Sequence, residues 1–427
     1  MTAPDLVKQP ERPKLIEIMG PGLITGASDD DPSGIATYSQ VGAQFGFGLS
    51  WTLIVTYPLM AAIQEISARI GRVTGAGIAG NLKKYYPRWL LQGIVGLLLV
   101  ANIINIGADL GAMGAALKLL IGGPSLLYVI GFAVVTVLLE VFVRYARYVS
   151  VLKYLTLSLL AYVATVFVVG VPWGKVGWSI IAPPLSFNKD YVLAVVAVLG
   201  TTISPYLFFW QSEEEVEEEQ ENPKQSALLD SPEDADNAFY RIRIDTYVGM
   251  ALSNLVALFI VITTAATLNA HGVTDIQTSA QAAEALRPIA GPFAFVLFAA
   301  GIIGTGLLAL PVLAGSAAYA VGEAMGWPVG LAKTAPRAKG FYITIAVATV
   351  IGAAMNFSPI GPIKALFWSA VINGIVAVPV MAIMMLMTHR QDIMGRFVIP
   401  PVLRVIGWIA TGTMAATVIA LAVTSFL

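Results

Sequence analysis

Long apolar runs separated by short polar stretches make up this chain, and eleven of them can cross a hydrocarbon core about 30 Å thick. They fall at residues 18–45, 51–70, 90–117, 125–143, 151–171, 191–211, 246–266, 292–321, 341–357, 363–387 and 405–426. The pattern predicts an all-α polytopic membrane protein. The eighth run is long enough to tilt or to end in a cytosolic turn.

Two runs carry an interruption. The first contains Asp29-Asp30-Asp31-Pro32-Ser33-Gly34, and the sixth contains Gly200-Thr201-Thr202-Ile203-Ser204-Pro205-Tyr206. Proline has no amide donor and biases the residue before it away from helix, so breaks are expected at Pro32 and Pro205. One intramembrane proline alone reads as a packing kink. Two in corresponding positions, one beside carboxylates, read as paired broken helices. Spans one to five and six to ten then form two halves, and the odd number in each gives them opposite orientations. The expected organisation is a polar tail at 1–17, a first inverted repeat at 18–171, a second at 172–387 and an eleventh helix within 388–427. The second repeat includes an acidic cytosolic loop at about 212–240.

Charge sets the orientation. With the N-terminus in the cytosol, 20 of the 25 Lys and Arg residues fall on inner segments, leaving Lys118, Lys175, Lys189, Arg287 and Lys364 outside. That excess follows the positive-inside rule and puts the C-terminus outside the cytosol. Tryptophans 51, 173, 178, 327 and 408 lie near span ends, as interfacial anchors do. The tail lacks a short apolar core with a small-residue cleavage site, so a cytosolic tail is expected rather than a signal peptide.

Composition narrows the chemistry. The chain is 57% hydrophobic and 12% charged, against about 25% charged in a soluble domain. It has no cysteine, which excludes disulfides, thiolate metal sites and cysteine nucleophiles. Its two histidines, His271 and His389, fall in expected loops, so no imidazole is expected at membrane depth. The acids are unevenly spread, with nine of them in Asp29 to Asp31 and Glu213 to Glu219. The second cluster reads as a solvated extension of span six, or else as a cation-attracting exit or magnesium sensor. Met381, Met384, Met385 and Met387 read as a lipid-facing or packed helix face.

An acid at membrane depth costs roughly 3 kcal/mol to insert, so Asp31 at a helix break reads as a cation ligand. Freed carbonyls beside it suit a hard divalent ion. Asp30 is a second candidate ligand and Asp29 a pathway residue, and which of the two faces the ion is open. From the second break, Thr201, Thr202 and Ser204 offer carbonyl or hydroxyl oxygens, while Ser33, Gly34 and Ser204 are small enough to leave room. An all-oxygen donor set favours magnesium or calcium over copper or zinc. Magnesium keeps several of its waters and fits a roomy site with few protein ligands. An intramembrane aspartyl protease is disfavoured, because the acids form one cluster with no second motif; a channel and a non-transporting sensor are the other classes to separate.

The sequence resembles the natural resistance-associated macrophage protein (Nramp) family of divalent transition-metal transporters, which has a LeuT-like fold. The resemblance is carried by Asp31-Pro32-Ser33-Gly34-Ile35-Ala36-Thr37 with Gln40 and Gly42-Ala43-Gln44-Phe45-Gly46 in span one. It continues through Gln64, Ala68-Arg69-Ile70-Gly71 and Val73-Thr74-Gly75 in span two, the Gly200–Tyr206 stretch, and Arg243-Ile244-Asp245-Thr246 at the start of span seven.

Departures from the family pattern are as informative as the matches. The family's Asp-Pro-Gly-Asn motif binds metal through its aspartate and asparagine; here Asp31 stands at the first and Gly34 at the second. Its Met-Pro-His motif, whose methionine selects transition metals, reads Ser204-Pro205-Tyr206, and the next histidine of that helix is Gln211. Of the acidic pair on the third span, Asp109 matches one and Ala112 replaces the other; the tenth-span glutamine falls at Ala370. Asn373, also in span ten, lines the ion path or makes an interhelical hydrogen bond. Asp109 reads as a residual proton carrier or a structural acid. This pattern is similar to the Nramp-related magnesium transporters, a prokaryotic branch. It implies uncoupled uptake of Mg²⁺, and of Mn²⁺, by alternating access in a prokaryotic inner membrane. The alternative is a proton-coupled Mn²⁺ or Fe²⁺ carrier. The expected partners are the cargo ion and the bilayer, with the chain acting as a monomer, no nucleic acid and no resident cofactor.

Overall fold

The computed structural model describes residues 21–143, 157–222 and 225–426. The expected tail at 1–17, the openings of the first and fifth spans, and Lys8, Arg12, Lys14, Arg144, Arg147, Lys153 and Lys224 lie outside the described residues. Among those described, all regular structure is helical.

The first expected span is two helices, α1 (Pro21–Asp29) and α2 (Pro32–Phe45). A 3-10 turn at Gly46–Leu49 leads into α3 (Ser50–Thr74), which ends on Gly75 in the left-handed region at φ 64. A short α4 (Ile78–Tyr85) precedes α5 (Arg88–Ile121) and α6 (Ser125–Phe142). The fifth span appears as α7 (Leu160–Val168), bent by 110° into α8 (Trp173–Ile181). The sixth is again two helices, α9 (Lys189–Thr202) and α10 (Pro205–Glu221). Then come α11 (Ala235–Thr267), the short α12 (Ser279–Glu284) and α13 (Arg287–Ala290), and α14 (Ala294–Met325). The chain closes with α15 (Lys339–Met355), α16 (Pro362–Thr388), a turn of helix α17 (Gln391–Met394) and α18 (Pro401–Phe426).

Eight described helical runs are long and apolar enough to span a bilayer, and the bent pair makes nine. One run, Pro32–Thr74, holds 43 residues. At 1.5 Å per residue a straight helix of that length would reach about 65 Å, twice the hydrocarbon thickness, so it covers the second span and the rest of the first. The 17-residue α15 accounts for the ninth expected span.

Packing divides the helices into two groups. The broken helices gather around α3 and α11: α1 and α2 lie on α11, and α10 lies on α3. The other group centres on α5, which packs against α6, α14 and α15. α16 touches both, through α5 and α9. Its contact with α9 is backbone to backbone: a Cβ on Gly200 would stand 2.9 Å from Gly374 Cα, so a side chain there would drive the helices apart. Met381, Met384, Met385 and Met387 are all fully buried, which makes theirs a packed face rather than a lipid-facing one.

The acidic segment departs from expectation. The loop is shorter than 212–240, because α10 runs on to Glu221 and α11 begins at Ala235. The run is not solvated either, since Glu213 and Glu215 are buried. Distant partners hold it. Arg241 pairs with Glu215 and, at 3.0 Å, with Glu218, while Arg72 pairs with Glu219 at 3.1 Å. Glu217 accepts hydrogen bonds from the Tyr319 hydroxyl and the Ala332 amide.

Candidate metal site

The two breaks form for the same reason. Asp31 has an extended backbone (φ −70, ψ 171), followed by Pro32 at the first position of α2. Its carbonyl accepts from Ile35 N at 3.1 Å and its Oδ1 from Gly34 N at 2.7 Å, so it caps the helix that proline starts. At the second break Ser204 is extended (φ −86, ψ 132) before Pro205. Ser204 does not cap α10. Its Oγ instead donates back to the carbonyls of Gly200 at 2.8 Å and Thr201 at 3.0 Å, satisfying acceptors that the end of α9 leaves free.

The breaks meet at Gly34 and Thr201. A Cβ on Gly34 would lie 3.3 Å from the Asp29 carbonyl oxygen, 3.3 Å from Tyr38 Cε2 and 3.4 Å from Thr201 Oγ1. Tyr206, one residue past Pro205, spans the same junction: its hydroxyl lies 3.3 Å from both Asp31 Oδ2 and the Ser28 carbonyl. Asp31, Ser33, Gly34, Thr201, Ser204 and Tyr206 are all buried there. Asp31 Oδ1 accepts from the Gly34 amide and Oδ2 from the Tyr206 hydroxyl, with Ser33 also hydrogen-bonding to the carboxylate.

Asp29 and Asp30 turn elsewhere. Ser253 on α11 donates to Asp29 Oδ2 at 2.6 Å and lies 3.2 Å from Asp30 Oδ1. Thr202 also looks away, its hydroxyl bonded to the Val198 carbonyl of its own helix at 2.9 Å. Ala370 packs its carbonyl on Gly200. Among the described residues, no three His, Cys, Asp or Glu converge on one point. Of the three consecutive acids, Asp29 and Asp30 share Ser253 on α11, while Asp31 meets Gly34 and Tyr206.

Several buried polar atoms have no hydrogen-bond partner, among them Asp29 Oδ1, Thr37 Oγ1 and both oxygens of Asp109. Both side-chain atoms of Asn105 and of Asn373 are likewise unpartnered. Asp109 is fully buried and close enough to Asp31 for the charges to interact. Unmatched polar groups of this kind suit a hydrated cation. Neither imidazole is free for the junction: His271 Nδ1 and His389 Nδ1 bond to the carbonyls of Thr267 and Met385. Met113 Sδ packs on Gly306, near the Pro32 ring.

Sequence reasoning missed Ser253, Tyr38 and Asn105. Ser253 was legible only as a polar residue in an apolar run, whereas Asn105 had a clearer mark, standing four residues before Asp109 and so on the same helix face.

Paired broken helices meeting at buried oxygen donors define the class: a secondary-transporter fold with its site between the breaks. The chain belongs to the Nramp family (natural resistance-associated macrophage protein-like), whose profile matches residues 22–424. It is therefore an integral membrane protein of a transporter family, not an enzyme. It is 27% identical over 300 residues to the divalent metal cation transporter MntH of Yersinia enterocolitica, covering 68% of this chain and 69% of that one. MntH of Pectobacterium carotovorum is 26% identical over 299 residues, 68% of each chain. The fold is similar to that of the Eremococcus coleocola manganese transporter, with a TM-score of 0.73 at 16% identity over 95% of this chain and 86% of that one. It is also similar to Mhp1, a nucleobase-cation-symport-1 family transporter, with a TM-score of 0.55 at 14% identity over 95% and 93%. The architecture is the LeuT-like one.

Proposed function

We propose that this chain is a divalent metal cation transporter that carries Mg²⁺, and Mn²⁺ with it, into a prokaryotic cell without coupling to protons. The observation that supports the reading is the junction of the breaks, where Asp31 lies among neutral oxygens of Thr201, Ser204 and Tyr206. Transition-metal selectivity needs a soft ligand, and at that position Ser204 turns its hydroxyl into its own helix end. A site with one carboxylate and small neighbours leaves Mg²⁺ most of its water, which is the coordination it prefers. Tyr206 stands where the family has a histidine and Ala112 where it has a glutamate, leaving Asp109 alone in any proton path.

In this reading Asp31, Thr201 and Ser204 hold the ion, with Asp30 and Asp29 tied to α11 and fixing the break. The two repeats run over 18–171 and 172–387, the N-terminus is cytosolic and the C-terminus extracytosolic. The group around α3 and α11 rocks against the group around α5, exposing the junction to each side in turn. An inside-negative potential drives the cycle, giving a divalent ion about 4.6 kcal/mol per 100 mV. Purified protein in liposomes with an imposed potential tests this: Mg²⁺ uptake should be present in the wild type and absent in Asp31→Ala. Equal uptake by both would overturn it. The buried Asp109 beside Asp31 is the one feature that favours the proton-coupled alternative.

A further inference from the structure

Among the described residues, Glu213 and Glu214 of the acidic run have no basic partner, and of these two Glu213 is the buried one. Arg241, Arg72, Tyr319 and the Ala332 amide serve Glu215, Glu218, Glu219 and Glu217, yet Glu213 Oε1, buried in a residue only 2% exposed, accepts no hydrogen bond. It points to the start of α4. There a Cβ on Gly77 would collide with it and would stand 2.8 Å from Glu323 Oε2. Glu323, in the last turn of α14, is itself fixed: Oε1 accepts from Gly77 N at 2.9 Å and Oε2 from Gly80 N at 2.7 Å. The Glu213 and Glu323 carboxyl groups come within hydrogen-bonding reach of each other. Two carboxyl groups this close in a buried place need either a shared proton or a bound cation. Lys83 puts a positive charge near Glu323, but from the exposed side. Glu214 and Glu217 are acidic, and the exposed Lys83 spends its ammonium on the Glu323 carbonyl at 3.2 Å.

We propose that Glu213 and Glu323 form a second divalent-cation site, at which cytosolic Mg²⁺ clamps α10 to α14 and slows transport. Two carboxylates completed by water are a usual magnesium set. Glu213 lies nine residues beyond Ser204, which on a helix is about 13 Å and too far to share the ion at the breaks. α10 is the inner half of a broken helix, so fixing its end to α14 ties the moving group to the static one. The inference takes only the identity of the ion and the sidedness from the transport reading.

Calorimetric titration of purified full-length protein with MgCl₂ tests it, starting from Asp31→Ala so that the site at the breaks is disabled. That protein should keep one class of Mg²⁺ binding, which Glu213→Gln in the same background should remove. Binding by Asp31→Ala that survives Glu213→Gln overturns the site. So does binding heat that scales with the buffer's ionisation enthalpy, because the pair then only exchanges a proton. The Asp31→Ala protein alone gives a second readout that needs no further substitution: Mg²⁺ should raise its Tm, and an unchanged Tm overturns the proposal. In liposomes, internal Mg²⁺ should slow uptake by the wild type and fail to slow Glu213→Gln. Both binding readouts are separate from the uptake on which the transport reading stands.

Discussion

Asp31 does two jobs that one substitution can separate. It caps α2 through the Gly34 amide and, in the proposed function, offers its charge to the ion. Asparagine caps a helix about as well as aspartate, so Asp31→Asn keeps the break and removes the charge. Asp31→Ala removes both, and the lost cap alone should cost about 1 kcal/mol. Unit charges 4 Å apart attract by about 4 kcal/mol at an effective dielectric of about 20, and a divalent ion doubles that to about 8 kcal/mol. Dehydrating the ion and the carboxylate offsets most of this gain. If a quarter survives, about 2 kcal/mol, affinity falls about 30-fold. The assay is initial Mg²⁺ uptake into proteoliposomes, with Tm measured on the same preparations. Asp31→Asn should lose uptake by about 30-fold or more while holding a Tm near wild type. Uptake within about threefold of wild type would refute the assignment of Asp31 as the charged ligand.

Other substitutions probe the neutral side of the junction and its support. Gly34→Asn with Ser204→Met should move competition toward Mn²⁺ over Mg²⁺ in an uptake assay; unchanged preference would count against selectivity by ligand type. Gly34→Asn alone should lower the Tm, because its Cβ arrives 3.3 Å from both the Asp29 carbonyl and the Tyr38 ring. Ser253→Ala should destabilise the protein by about 1–3 kcal/mol, since it strips a donor from buried Asp29, and thermal unfolding reads this directly; an unchanged Tm would mean the acids are anchored otherwise. In the wild type, millimolar Mg²⁺ should compete with Mn²⁺ for uptake, and absence of competition would return the chain to the transition-metal carriers.

Both helix breaks were legible because proline acts locally: Pro32 and Pro205 interrupt apolar runs wherever those runs end up. Asp31 was legible for a related reason, since capping depends on neighbours three residues away. What the three acids do individually was not. The split between Asp31, facing the second break, and Asp29 and Asp30, facing Ser253, depends on a helix 223 residues further on. The acidic run misled in the same way. Its charge density reads as solvated, but its partners are Arg72, Arg241, Tyr319 and Glu323 on other helices, and local composition does not reveal them. Thr202 is a third case, where spacing admits a site residue whose hydroxyl donates to its own helix, as that of Ser204 also does.

The central claim is magnesium transport without protons through a junction that has lost its soft and proton-handling groups. Its most direct test is wild-type protein in liposomes loaded with a magnesium indicator and a pH indicator, under an inside-negative potential. The magnesium signal should rise, be abolished by Asp31→Asn, and leave internal pH constant throughout. Acidification that keeps pace with metal entry, or no magnesium signal where manganese still enters, would contradict it.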